Sequence, residues 1–287
     1  MKEMQSTESP LSYPPVLVFA GLDPSGGAGL VADALTLASI GCHPLTVATA
    51  ITVQDTARVD EVQAVDSDLV DDQARFLLED MEIAAFKIGL LGSVDNIAVI
   101  AGILADYPHI PVILDPVLAS GFGDELATDE MASAMRELLI PAATIITPNS
   151  IEARRLLDDD ESDEWNLDQV AEALRTLGPD YVLITGTHEN TPSVINTLYG
   201  RGGQVRSDTW QRLNGSYHGS GCTLASAIAA YIAGGMEMAD AVREAQEYTW
   251  KTLAAGFRPG MGQFIPDRMF WAREAALAEA AAEADED

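Results

Sequence analysis

Lysine is scarce in this 287-residue chain, which contains only Lys2, Lys87 and Lys251. Acidic residues number 45 against 16 lysines and arginines, so the formal net charge is −29. Nucleic acids and anionic membranes are bound through clusters of basic side chains, and this balance excludes both as partners. The same acidity favours a salty milieu for the protein.

Cysteine is nearly absent as well, with Cys42 and Cys222 as the two examples. Two thiols are too few for a disulfide framework, which favours a reducing compartment. Segment 1–15 is polar and lacks the apolar core of a signal peptide, and no stretch reaches the roughly 18 apolar residues of a membrane span. We therefore expect a soluble cytoplasmic protein.

The chain does contain an alternation of short apolar runs and helical patterns. Strands are predicted at 45–51, 84–88, 112–114, 144–146 and 181–184, and helices at 69–81, 95–105, 129–139, 151–157 and 167–177. This alternation predicts an α/β fold with a mostly parallel sheet covered on both faces. A hairpin at 192–208 and two helices, 221–233 and 238–255, complete a single domain over 16–268. A flexible segment, 1–15, and an acidic Ala/Glu-rich tail, 269–287, flank it.

The first apolar run leads into a glycine-rich loop. Residues 16–20 are typical of a buried strand, and residues 21–29 read Gly-Leu-Asp-Pro-Ser-Gly-Gly-Ala-Gly. A helix is predicted from there to about Ser39, with Gly41 as its stop. Together they form half of a nucleotide-type α/β unit. The spacing matches neither the P-loop nor the G-x-G-x-x-G motif, so neither of these phosphate motifs applies.

A second glycine-rich loop, residues 219–223, precedes the Ala-rich apolar run 224–233, which predicts a buried helix. Backbone N–H groups converge at a helix N-terminus, and the helix dipole adds positive potential there. The loop therefore suits a phosphate or a developing oxyanion, although an ordinary turn before a core helix fits these five residues equally well. Cys222 lies in the first turn, where the same field is expected to acidify its thiol. We expect the two loops to face each other across a cleft.

Six segments occur in the order and at the spacings of one enzyme family: 21–29, 52–56, 87–93, 115–118, 147–153 and 217–223. On these segments the chain resembles the hydroxymethylpyrimidine/phosphomethylpyrimidine kinases of thiamine synthesis, from about residue 16 to 266. The resemblance implies a ribokinase-like three-layer α/β/α fold and a homodimer. It also implies use of ATP and Mg²⁺ to phosphorylate 4-amino-5-hydroxymethyl-2-methylpyrimidine and then its monophosphate.

The resemblance also implies roles for individual residues. The substrate pocket would comprise Gly21, Asp33, Val53, Gln54 and Leu90. The ATP site would comprise Asp115, Glu152, Thr185, Ser220, Gly221 and Thr223, with Mg²⁺ held by Asp115 and Glu152 through water. Catalysis would rest on Cys222 with the amides of Gly219, Ser220 and Gly221.

Alternatives exist for four of these residues. Asp33, as an acidic residue within a helix, could simply be solvated. Gln54 carries both a donor and an acceptor for an aminopyrimidine, but it could be a core glutamine bonded to backbone. Glu152 at a helix start could be a surface acid that complements the helix dipole. Cys222 could be a small buried apolar residue.

The chain departs from the family pattern in its missing lysines. Many relatives carry lysine where this chain has Gly121 (or a neighbour), Thr185 and Met261. Metal, backbone amides and either Arg258 or His188 remain as partners for triphosphate oxygens. Two other functions therefore stay open: a pyridoxal or pyridoxine kinase, and a catalytically weak pyrimidine-binding protein.

Overall fold

The computed structural model describes residues 13–276 apart from 122, 160, 161, 163 and 274. Within these residues nine strands form one sheet. The strands are β1 (Pro15–Leu22), β2 (His43–Gln54), β3 (Val59–Ala64), β4 (Ala85–Ile88), β5 (Val112–Leu114), β6 (Ile145–Ile146), β7 (Tyr181–Ile184), β8 (Ser193–Gly200) and β9 (Gly203–Gln211). The α-helices are α1 (Gly29–Ile40), α2 (Ser67–Asp80), α3 (Val94–Asp106), α4 (Asp129–Ala134), α5 (Ser150–Leu157), α6 (Leu167–Thr176), α7 (Ser220–Ala233) and α8 (Met238–Ala254).

The strand order is β3-β2-β1-β4-β5-β6-β7-β8-β9. The six strands from β2 to β7 in this order are parallel, whereas β3 at one edge and β8 and β9 at the other pair antiparallel. The parallel strands β1, β4, β5, β6 and β7 therefore all end at the same edge of the sheet, where their loops meet.

Strand β1 shows why the sheet is covered on both faces. Leu17 and Phe19 pack into a core formed with α2 to α6, and Val16 and Val18 pack into a second core formed with α1, α7 and α8. Successive side chains of a strand point to opposite faces, so a strand buried twice has to be apolar throughout. The predicted α/β fold with helices on both faces is thereby confirmed.

Two elements differ from the sequence prediction. Strand β3 was not predicted, because its sequence Val-Asp-Glu-Val-Gln-Ala is mostly polar and lies at an open edge. The helix predicted at 129–139 is α-helical only as α4 and continues as a wider π-helical turn, Met135–Leu139. The other strands and helices lie within a few residues of their predicted positions.

Most residues at the two ends of the chain are not among those that the structure describes. Residues 1–12 of the predicted N-terminal segment and 277–287 of the predicted tail lie outside the described residues, and the domain limits stay a prediction. Among the helices that the structure does describe, none is both long and apolar enough to cross a lipid bilayer.

Candidate active site

A cavity of about 390 Å³ lies along the edge where the parallel strands end. Its lining on the β2 side of the sheet includes Gly21, Gln54 and Leu90. On the β7 side the lining includes Thr185, His188, Trp210 and Arg212. Asp115, which follows the middle strand β5, and residues 219–222 also line it. Loops from distant parts of the chain meet in one cavity because an open parallel sheet collects them at one edge.

The two glycine-rich loops pack directly against each other, so the prediction that they face each other across a cleft is wrong. Gly219, which precedes α7, has a φ of 76°, and a Cβ there would lie 2.0 Å from the carbonyl oxygen of Gly27. Gly29 has a φ of 57°, and its Cβ would lie 2.1 Å from the carbonyl oxygen of Gly21. Both positions require glycine, since a side chain at Gly219 would force the two loops apart and one at Gly29 would distort the first loop itself.

A buried pair of side chains joins these loops. The Asp23 carboxylate accepts hydrogen bonds from the backbone N–H of Ser25 and of Ala28, each at 2.8 Å. Its Oδ2 also lies 2.8 Å from Nε2 of His218. Burial opposes ionisation of Asp23, but the bonds from His218, Ser25 and Ala28 together hold its pKa below the usual value. Both residues lie in segments that carry the family resemblance, but no local pattern predicts their pairing across 195 positions.

Asp115 presents an unsatisfied carboxylate oxygen beside the start of α7. The residue is 5% exposed, and its Oδ2 has no hydrogen-bond partner. A Cβ on Gly221 would lie 3.7 Å from Oδ1 and 3.8 Å from Oδ2 of Asp115. Burial raises the pKa of Asp115 to about 6, with Lys87 opposing the rise and Asp33 adding to it. A cation or a donor in the cavity would satisfy this oxygen.

Glu152 is half-buried, lines the cavity and caps its own helix, so it is not the surface acid that the sequence left open. Its Oε2 accepts the N–H of Asn149 at 3.0 Å, and the Asn149 side chain accepts the N–H of Glu152 in return. This reciprocal pair is a capping box at the start of α5. Burial, with the Asp115 charge, raises the pKa of Glu152 to about 8. The two carboxyl groups therefore compete for ionisation at one wall of the cavity.

Asp33 does not line the cavity, so the prediction that it borders the substrate is wrong. It is fully buried in α1 and forms an ion pair with Lys87 of β4 at 3.0 Å. Ser226 of α7 donates a hydrogen bond to the same carboxylate at 2.7 Å. Burial opposes the charge of Lys87, but Asp33, Cys222 and Asp115 raise its pKa above the usual value. Lys87, one of the three lysines of the chain, is thus fully buried beneath the cavity.

The substrate side of the cavity contains most of its predicted residues. Gln54 donates from Nε2 to the Thr52 hydroxyl at 2.8 Å, and that hydroxyl donates to the carbonyl of Leu22 at 3.0 Å. Gln54 and Thr52 both line the cavity, whereas Val53 between them is 55% exposed on the opposite face of β2. The alternation of a strand explains this, and the prediction of Val53 as a pocket residue is wrong.

Cys222 lines the cavity, but its thiol is not acidified as predicted. Burial raises the pKa of Cys222 to about 12, the carboxylates of Asp33 and Asp115 add to the rise, and only Lys87 and the Gly29 amide oppose it. The field of the α7 N-terminus is thus outweighed by the loss of water and by nearby negative charge. The thiol is protonated at neutral pH.

The predicted nucleotide residues are only partly brought together. Ser220, Gly221, Thr185 and Glu152 line the cavity. Thr223 does not, because it is fully buried and its hydroxyl donates to the carbonyl of Gly219 at 2.8 Å. That prediction is wrong.

The positions of the missing lysines also differ from one another. The predicted positions Gly121 and Thr185 line the cavity, whereas Met261 is 91% exposed and lies outside it. His188 lines the cavity and Arg258 does not. The lining residues that the structure describes include no lysine and one arginine, Arg212, which sequence reasoning missed.

Arg212 braces the wall on the β7 side of the cavity. Its guanidinium donates to the carbonyls of Thr187, Glu189 and Thr191 at 2.8, 3.0 and 3.1 Å. Three of its five N–H groups are therefore engaged with one turn of backbone. No local pattern indicates this role, because the bonds join Arg212 to residues 21 to 25 positions earlier in the chain.

Two comparisons with known sequences agree. Residues 23–267 match the model of a family described as phosphomethylpyrimidine kinase. The hydroxymethylpyrimidine/phosphomethylpyrimidine kinase of Mycobacterium tuberculosis is 36% identical over 254 residues, covering 88% of this chain and 92% of that protein. The protein of the same name from Streptomyces coelicolor is 35% identical over 263 residues, covering 90% and 96%.

Solved structures with the same fold include two kinases. The pyridoxal kinase from Staphylococcus aureus in complex with ADP superposes with a TM-score of 0.81 at 26% identity, covering 91% of this chain and 96% of that one. The phosphomethylpyrimidine kinase from Clostridium difficile gives 0.71 at 33% identity, covering 82% and 97%. These matches confirm the predicted ribokinase-like fold and the resemblance drawn from the six segments.

Proposed function

This chain belongs to the phosphomethylpyrimidine kinase family, and on that premise we propose that it transfers the γ-phosphoryl group of ATP twice. The first acceptor is the hydroxyl of 4-amino-5-hydroxymethyl-2-methylpyrimidine, and the second is the phosphate of the resulting monophosphate. The product is the pyrophosphate ester used in thiamine biosynthesis. One observation carries the proposal: a single cavity contains Gln54, an Asp115 carboxylate with one unpartnered oxygen, and the start of α7.

The pyrimidine ring is proposed to bind between Gly21, Leu90 and Gln54. A Cβ at Gly21 would lie 2.9 Å from Cδ2 of Leu90, so glycine leaves the width that a flat ring needs. The Gln54 amide is held by Thr52 through its Nε2. Its carbonyl oxygen is thereby oriented, and an oriented acceptor suits the amino group of the ring.

The start of α7 is proposed to hold the transferred phosphate. The first N–H groups of a helix have no acceptor within the helix, and here they belong to Ser220, Gly221 and Cys222. These amides point at developing negative charge without any reorganisation. Phosphoryl transfer depends mainly on positioning and charge stabilisation. The amides are therefore proposed to contribute more to catalysis than the protonated Cys222 thiol. This holds above all for the second transfer, because its acceptor phosphate is already ionised and needs no base.

Magnesium fits two carboxylates at this site. Asp115 supplies a buried oxygen without a partner, and Glu152 carries a proton that a cation would displace. Magnesium takes one or two carboxylates together with phosphate oxygens and keeps several waters. When bound there, it would neutralise the charge of the triphosphate. This is the proposed role of Asp115 and Glu152.

The experiment is a product analysis. We expect the purified protein with Mg-ATP and the hydroxymethylpyrimidine to form the monophosphate and then the pyrophosphate, detected by mass spectrometry. Asp115→Asn should lower kcat by about 100-fold or more, since a carboxylate proposed to hold Mg²⁺ against the triphosphate is lost. Pyrimidine binding, measured by calorimetry, should stay close to wild type.

The matched control is Asp60→Asn on β3, whose side chain is 64% exposed. It should leave kcat unchanged. Full activity in Asp115→Asn would contradict the proposed role of Asp115 in holding Mg²⁺ at the triphosphate. Absence of both products in the wild type, with tight pyrimidine binding, would favour the pyrimidine-binding alternative.

Pyridoxal is the second candidate substrate, favoured by the close superposition on a pyridoxal kinase. It is tested in the same assay, where pyridoxal phosphate as the sole product would replace the leading proposal. A homodimer and a cytoplasmic location are further proposals that the family membership supports. The exposed side chains of Ile51 and Val53 on β2 offer an apolar surface for such a dimer.

A further inference from the structure

Arg268 is buried behind the two glycine-rich loops. It is 3% exposed, does not line the cavity, and lies just beyond residue 267, where the family match ends. Its Nη2 donates to the carbonyl of Gly27 at 2.6 Å, and its Nε donates to the Thr223 hydroxyl at 3.0 Å. A Cβ on Gly219 would lie 2.9 Å from Nη2. The guanidinium therefore touches both loops where they meet.

The backbone of Arg268 is fixed from two further directions. Its carbonyl accepts the hydroxyl of Ser39 in α1 at 2.7 Å and the hydroxyl of Tyr248 in α8 at 2.8 Å. The preceding residue, Asp267, donates its N–H to the carbonyl of Thr252 at 2.9 Å. The segment after α8 is thus anchored to both helices, and the guanidinium has a fixed position relative to the loops.

The Arg268 guanidinium has no carboxylate at ion-pair distance among the described residues. Both of its hydrogen-bond acceptors are neutral. The nearby acids are engaged elsewhere, Asp33 with Lys87 and Asp23 with His218. Burial lowers the pKa of Arg268, and the more distant charges of Asp33 and Asp23 oppose this shift without cancelling it. A buried charge without a partner is unfavourable, and an anion nearby would offset that penalty.

The place for that anion is the start of α7. Arg268 contacts Gly219 and Thr223, which bracket the amides of residues 220–222. A phosphate on these amides would meet the helix N-terminus directly and the guanidinium behind it. In a low-dielectric interior, charges act over more than contact distance. The described lining of the cavity contains no lysine. Arg268 would supply a positive charge to it from behind the amides of residues 220–222.

We propose that Arg268 is a positioning residue for phosphoryl transfer, which braces loop 219–223 against loop 21–29 and supplies positive charge behind the phosphate-binding amides. This inference rests on the proposed kinase function. Arg268, which does not line the cavity, would thereby supply the positive charge that the missing lysines do not.

The test compares Arg268→Gln and Arg268→Lys with the wild type. The matched control is Arg273→Gln in the same segment, whose side chain is 65% exposed and pairs with Asp267 at 2.6 Å. Two thermal shifts are recorded for each protein, one with Mg-ADP and one with the hydroxymethylpyrimidine. Steady-state kcat and KM are then measured for ATP and for the pyrimidine.

We expect Arg268→Gln to weaken Mg-ADP binding and to lower kcat, each by about tenfold or more, while the pyrimidine shift stays near wild type. Arg268→Lys keeps the charge with fewer donors, so it should recover part of the lost kcat. Arg273→Gln should match the wild type. If Arg268→Gln does not fold, the test rests on Arg268→Lys alone. A lower kcat with an unchanged KM for the pyrimidine in that variant then supports the proposal.

Two results would overturn the inference. One is wild-type Mg-ADP affinity and kcat in Arg268→Gln. The other is an equal loss of ADP and pyrimidine binding in Arg268→Gln, which would make Arg268 a purely structural residue. If only Arg268→Lys folds, the same result in that variant has the same meaning. A wild-type protein that binds Mg-ADP but forms no product would contradict the kinase function, while the ADP shifts of the variants would still test the role of Arg268 in anion binding.

Discussion

Glu152 caps α5 and at the same time lies within the electrostatic field of Asp115, and these two influences act on its ionisation in opposite directions. The Asn149 N–H favours the carboxylate, whereas burial and the Asp115 charge favour the carboxylic acid. The second influence is larger, so the folded protein holds a proton that the unfolded chain releases at an ordinary glutamate pKa. A group suited to binding a cation is therefore a source of instability when no cation is present.

This residue has a measurable effect on stability against pH. The pKa of Glu152 is about 8 in the folded protein and near 4.5 in the unfolded chain. Between these values the folded state binds more protons, so the free energy of unfolding decreases as pH rises. Glu152→Gln keeps the capping bond and cannot ionise. We expect its Tm to exceed that of the metal-free wild type by a few °C at pH 8, since about 1 kcal/mol moves Tm by about 2–4 °C in proteins of this size.

The measurement is a set of thermal melts from pH 5 to pH 8 in a metal chelator. The two melting curves should converge toward pH 5, where wild-type Glu152 is protonated. Parallel pH profiles for the two proteins would contradict the raised pKa. Added Mg²⁺ should stabilise the wild type more than the variant.

At the scale of elements, the contact between the loop before α1 and the start of α7 is the most constrained junction of the site. Gly219→Ala should lower activity strongly, because its Cβ would meet the Gly27 carbonyl at 2.0 Å. The control is Gly235→Ala beyond the other end of α7, where φ is 84° and no atom lies within 4 Å of the added Cβ. Both variants lose about 1 kcal/mol or more to the left-handed conformation.

Kinetics and melts of the two variants separate the backbone strain from the collision. We expect similar losses of Tm from strain, with a further loss of Tm and a fall in kcat only in Gly219→Ala. Equal kcat in the two variants would show that the loops tolerate separation.

The elements themselves were largely predictable from sequence, because β1 and its neighbours are apolar on both faces and the glycines mark loops. Which side chains enter the cavity was less predictable. Val53 and Thr223 belong to the right motifs but point away from the cavity, since a motif fixes the chain position and not the direction of each side chain. The burial of Asp33 depends on its ion pair with Lys87, which lies 54 residues away in the sequence. Arg268 contacts residues 241 and 45 positions away, which no local pattern reports.

At the scale of the whole molecule, the net charge of −29 governs the response to salt. Like charges on a compact surface repel one another, and that repulsion falls as the Debye length shortens from about 10 Å at 0.1 M to about 3 Å at 1 M. We expect Tm to rise steadily with KCl over this range. Sucrose at matched osmolality serves as the uncharged control, and a Tm that is flat or falling in KCl would contradict the expectation.

The junction of the two glycine-rich loops has a consequence for how the protein folds. One loop belongs to the first strand of the sheet and the other follows the last, so their contact has a very large sequence separation. Contacts of this kind form late, because the entropy of closing long loops must be overcome first. We therefore expect most of the sheet to form before loops 21–29 and 219–223 dock. During refolding, the return of activity should report this docking, after spectroscopic signals of secondary structure have already recovered.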